Sequence, residues 1–63
     1  MKYSELERKL KKGGCRNTGR MISGHPLWYS PKTGKYFRMS NHRKQEVAKG
    51  TLKSILKDAG VKL

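Results

Sequence analysis

Acidic residues are scarce in this chain. Four Asp and Glu stand against sixteen Lys and Arg in 63 residues, a formal charge of +12. Such an excess opposes compaction by self-repulsion and attracts polyanions. Nucleic acid leads as a partner, ahead of an anionic membrane or an acidic protein. Cysteine occurs once, at Cys15, so a disulfide scaffold is excluded and a reducing, cytoplasmic setting is expected. Cys15 follows Gly13-Gly14 and reads as filler of a small apolar site rather than as a nucleophile. No apolar run approaches the roughly 20 residues a membrane span requires. The start, MKYSELERKL, is charged and periodic, unlike a signal peptide. Length is short as well: one domain, 1–63, of a size that buries only about 60% of its unfolded surface. A small core and modest stability follow, unless a partner adds surface.

What is present is patterned. YSELERKLKKGG reads as a short helix, with Ser4 as cap and Glu7 three residues on. Its lysines gather in the last turn, to suit the helix dipole, and Tyr3, Leu6 and Leu10 make its apolar stripe. CRNTGRMISG reads as an irregular strand, weakened by Gly19 and Gly24. HPLWYS and KYFRMS flank the turn PKTG and form a hairpin. Alternation puts His25, Leu27 and Tyr29 on one face of it and Pro26, Trp28 and Ser30 on the other. NHRKQEVAKG is a polar connection. In TLKSILKDAGVKL, Leu52, Ile55, Leu56 and Ala59 recur at helical spacing, and Gly60 with Val61 suits a Schellman ending. The order α-β-β-β-α predicts a small two-layer α+β domain, with two helices on one face of a three-stranded antiparallel sheet.

These segments, taken together, resemble the HicA toxins. The resemblance rests on GHPLWYSP, TGKYF, NH and EVAKGTLKSILKDAG, in that order, and runs nearly end to end. It implies a fold like that of a double-stranded-RNA-binding domain. It also implies an mRNA interferase, an RNA-cleaving toxin, neutralised by a HicB-type antitoxin. The family's catalytic histidine commonly sits in a Gly-Ser-His triplet. Here the triplet is Ser23-Gly24-His25, so His25 carries over and Ser23 stands out of place. His42 matches a second histidine, and Gly50 and Thr51 match the start of the last helix.

RNA brings its own nucleophile, the 2′-OH, so its cleavage needs neither metal nor cofactor, and none is expected here. A histidine titrates near neutrality and suits proton transfer. By the resemblance first, and by this chemistry second, His25 is expected as general base; its bland alternative is a residue that merely ends a strand and caps a turn. His42 is a candidate general acid or phosphate contact, against the alternative of a loop histidine bonded to backbone. His25, His42 and Cys15 fit no compact zinc spacing. Arg16, Arg20, Lys32, Lys35, Arg38, Arg43 and Lys44 are candidate phosphate ligands, each with the alternative of a solvated basic face. Trp28 is a candidate for base stacking, as are Tyr29, Tyr36 and Phe37, although such rings also fill small cores. A non-catalytic RNA- or DNA-binding module is the competing function. A membrane-active peptide is disfavoured, because neither helix is long.

Overall fold

The computed structural model describes residues 1–62, and its elements follow the expected order. They are α1 (Tyr3–Lys12), β1 (Arg16–Ile22), β2 (His25–Ser30), β3 (Lys35–Arg38) and α2 (Lys49–Ala59). Leu63, the last residue of the expected domain, lies outside the described residues. None of the described helices is long and apolar enough to cross a membrane.

The stripe of α1 is as expected: Leu6 and Leu10 are fully buried and Tyr3 packs beside them. Its start is not. The helix opens after Lys2, whose backbone N–H reaches the Glu5 carboxylate at 3.3 Å. Ser4 lies inside the first turn, and its N–H donates to the Arg43 carbonyl at 3.0 Å. The cause is tertiary. Tyr3 N–H bonds the Gln45 carbonyl, Val47 N–H bonds the Met1 carbonyl, and Lys2 bridges to Glu46. The polar connection thus acts as an extra strip of backbone for the N-terminal segment, and that pairing overrides the local cap. Val47 from this connection enters the core.

Ser23 and Gly24 alone join β1 to β2. Their φ angles are 52° and 79°, positive at both positions, as a type I′ hairpin turn demands. β1 pairs antiparallel to β2 through Asn17↔Trp28, Met21↔Pro26 and Ile22↔His25. Between Asn17 and Met21 the register shifts, so Thr18, Gly19 and Arg20 share a single facing residue, Leu27. The Thr18 hydroxyl donates to the Leu27 carbonyl at 2.8 Å, and Asn17 Oδ1 accepts from Gly19 N–H at 2.9 Å. This bulge is the physical content of the irregular strand. β2 continues through Pro31–Gly34 into β3, with Trp28 opposite Phe37 and Tyr29 opposite Tyr36. β2 is therefore central, not an edge, despite Pro26. Met39 N–H donates to the Pro26 carbonyl at 2.9 Å, but a proline has no N–H to return. The ladder ends there, which explains why β3 stops at Arg38.

All buried strand residues lie on one face. Trp28, Ser30 and Phe37 pack there with Leu6, Leu10, Cys15, Met39, Val47, Ile55 and Ala59. Both helices thus cover the Trp28 face, and the His25 face stays open. α2 ends as expected: Gly60 is left-handed at φ 68°, and Val61 N–H reaches the Leu56 carbonyl at 3.2 Å. Below it, buried Ser30 donates its hydroxyl to the Ala59 carbonyl at 2.6 Å, tying the helix terminus to the central strand.

Candidate nucleic-acid interface

Register decides what the open face carries. His25, Leu27 and Tyr29 point outward from β2, and residues directly opposite share their face. Those are Ile22 beside His25, Arg38 beside Leu27, and Arg16 and Tyr36 on the two sides of Tyr29. The Tyr29 and Tyr36 rings lie 4.8 Å apart, tilted by 46°, and the Arg16 guanidinium stands 5.6 Å from the Tyr29 ring centre. Tyr36 is 61% exposed. Alongside it, Arg16, Asn17, Thr18, Arg20 and Tyr36 line a hollow of about 360 Å³. Two tyrosines, three arginines and a histidine thus share one side of the sheet, with no acidic residue in β1, β2 or β3.

His25 stands exposed at the first position of β2, immediately after the tight turn. Among the described residues, no side-chain hydrogen bond holds its ring. The Met39–Pro26 bond carries the β2–β3 register one residue beyond β3. That brings Ser40 to the His25 end of the sheet. The Ser40 hydroxyl accepts from His42 N–H at 3.1 Å. Both histidines are therefore found at the same end of the sheet, His42 exposed in the connection that follows β3.

The remaining candidates scatter. Trp28 is only 1% exposed, so its ring has no free face for a base, and its place in the candidate set is corrected to the core. Lys32 lies in the β2–β3 turn at the opposite end from His25. There it lines a cleft of about 470 Å³ with Lys9, Lys12, Gly13, Gly60, Val61 and Lys62. Lys35, opposite Ser30, belongs by register to the helix side. Arg43 points its Nε to the Glu7 carboxylate at 3.2 Å, while Lys44 is exposed in the connection. Arg16, Arg20 and Arg38 are the members gathered on or beside the open face. Tyr29 and Tyr36 belong with them. Their signal was the two-residue period, which separates them from Trp28 and Phe37 but does not say which set faces the helices. No group of three His, Cys, Asp or Glu suited to a metal ion occurs among the described residues.

A family model described as the HicA toxin of bacterial toxin-antitoxin systems matches residues 3–61. The chain belongs to the HicA toxin family. The match covers every helix and strand, from the first residue of α1 to the Val61 that closes α2. No curated protein and no solved structure gives a match. Membership makes this chain the toxin of a pair and implies an antitoxin as its partner.

Proposed function

We propose that this HicA toxin is an endoribonuclease that cleaves mRNA, without metal, on the open face of its sheet, and that a HicB-type antitoxin silences it there. The observation that carries the reading is the placement of His25. It is exposed, fixed in direction by a two-residue turn, and set at the end of a face lined by Arg16, Arg38 and two tyrosines. A ring nitrogen of His25 takes the proton of the 2′-OH. The freed oxygen attacks the neighbouring phosphorus, the bond from phosphorus to the 5′-oxygen breaks, and that oxygen receives a proton, with His42 as its donor. The products are a 2′,3′-cyclic phosphate and a 5′-hydroxyl. Arginine on the same face stabilises charge on the phosphate.

The test pairs wild type with His25→Ala, both checked for folding, on a long single-stranded RNA in EDTA. Cleavage by wild type alone, with cyclic phosphate ends, is expected. Equal cleavage by both proteins removes His25 from the mechanism. A second reading, a non-catalytic RNA- or DNA-binding module, is favoured by one observation: nothing among the described residues orients the His25 ring, whereas a general base usually has an orienting partner. Tight binding without new termini would establish that reading.

A further inference from the structure

The end of the sheet remote from His25 has features the proposed proton chemistry does not use. Tyr36 is the most exposed large hydrophobic side chain of the three strands, at 61%. One side of its ring leans on Tyr29, whose own ring is backed by Arg16. A surface tyrosine needs no such support to stay folded. The arrangement holds an aromatic plane steady at the rim of the hollow formed with Arg16, Asn17, Thr18 and Arg20. Asn17, opposite Trp28 by register, uses its side-chain oxygen internally, accepting from Gly19 N–H in the bulge. Arg20 sits in the bulge that widens this hollow.

We infer that Tyr36, supported by Tyr29 and flanked by Arg16 and Arg20, is a subsite for one unpaired base and its phosphate, separate from the scissile position. A flat ring takes any base by stacking, and two guanidinium groups neutralise the adjoining phosphate. The inference rests on the reading of this face as an RNA surface. It adds a distance. Tyr29 lies four positions from His25 along one strand, about 13 Å at the ~3.3 Å rise of a strand. That is about four nucleotides at a stacked spacing of ~3.4 Å, and fewer in an extended strand. The toxin therefore grips single-stranded RNA at a base well away from the bond it cuts, and short fragments ending before that base bind poorly. Duplex RNA, whose bases are already stacked and paired, leaves the subsite empty.

The experiment measures binding of a short fluorescently labelled single-stranded RNA to full-length His25→Ala protein, with Tyr36→Ala or Tyr36→Phe added. A matching oligonucleotide with abasic riboses serves as control. Tyr36→Ala is expected to weaken binding of the intact RNA by about 5- to 150-fold, the range for loss of one stacked base. Tyr36→Phe restores most of it, and on the abasic RNA the two variants bind alike. Equal losses on intact and abasic RNA, or no loss on either, overturn the subsite. Unchanged melting of the Tyr36 variants excludes a folding effect, which the exposure of the ring already argues against. Cleavage by His25→Ala would overturn the catalytic reading alone. Loss of all RNA binding by His25→Ala, with its fold intact, overturns both.

Discussion

Ser30→Ala isolates one bond whose cost follows from its surroundings. Ser30 is fully buried and its hydroxyl donates to the carbonyl of Ala59, also fully buried, at 2.6 Å. Ala59 is the last residue of α2, where a carbonyl falls outside the helix's own ladder of bonds. Among the described residues the only other donor near it is the Cys15 thiol at 4.0 Å, a weak one. Removing the hydroxyl therefore strands a buried acceptor, and such a loss costs about 1–3 kcal/mol. A domain of this length has roughly 3–9 kcal/mol in total, at ~0.05–0.15 kcal/mol per residue. With about 4–8 °C of melting temperature per kcal/mol at this size, a central loss of ~2 kcal/mol lowers Tm by about 8–16 °C. Thermal melts and urea titrations by circular dichroism read it, and the urea midpoint should fall with its slope unchanged. Thr33 provides the internal comparison, since its hydroxyl donates to the neighbouring Asp58 carbonyl but is exposed. Water replaces that bond, so Thr33→Ala should cost well under half as much. If Ser30→Ala melts within about 2 °C of wild type, or no lower than Thr33→Ala, burial does not set the cost and the reasoning fails.

Gly24→Ala places a side chain at φ 79° with nothing within 4 Å of the new carbon; the loss is backbone strain alone, about 1–2 kcal/mol, read in the same urea titration. Gly60→Ala adds a clash to its positive φ, because the new carbon would meet Thr33 Cγ2 at 2.7 Å, so it should melt lower than Gly24→Ala. The Met1 ammonium lies 2.8 Å from Glu46; that hydrogen bond, then charge attraction, raises the amine's pKa and lowers the carboxyl's. A raised amine stabilises below its unfolded pKa and loses this as pH rises, while a lowered carboxyl stabilises above its unfolded pKa and loses this as pH falls. Glu46→Gln should thus lower Tm most fully between about pH 4.3 and 7.8, with wild-type and variant curves converging progressively beyond, as pH rises through the raised amine pKa or falls through the lowered carboxyl pKa. Arg16→Gln should weaken RNA binding and reduce the slope of log affinity against log salt by about 0.7, the share of one phosphate contact on a single strand; an unchanged slope removes Arg16 from the interface.

The sequence disclosed some of these features and hid others for identifiable reasons. The stripe of α2 and the alternation of β2 are local periodicities, and both appear in the fold as read. The cap of α1 was misread because Ser4 is engaged by Arg43, a pairing no window around residue 4 contains. Alternation groups Ser30 with Trp28 but shows neither its burial nor its bond, since its partner lies 29 residues away. Trp28 carries two signals at once, a large apolar surface and a ring able to stack, and only the position of the helices decides between them. His25 needed no such knowledge of the helices to be singled out, but its facing did. The same parity that buries Trp28 turns His25 outward.

That parity ties the facing of the histidine to the integrity of the core. His25 and Trp28 are three residues apart on one strand, so they always face opposite ways. A one-residue slip of β2 would turn the histidine inward and at the same moment expel Trp28 from the core. Loss of so large a buried ring costs about 3–5 kcal/mol, comparable with the whole stability of a domain this small. A form with its histidine on the wrong side would therefore forfeit a large part of the domain's stability. The outward setting of the histidine is thus part of the same packing that buries the tryptophan.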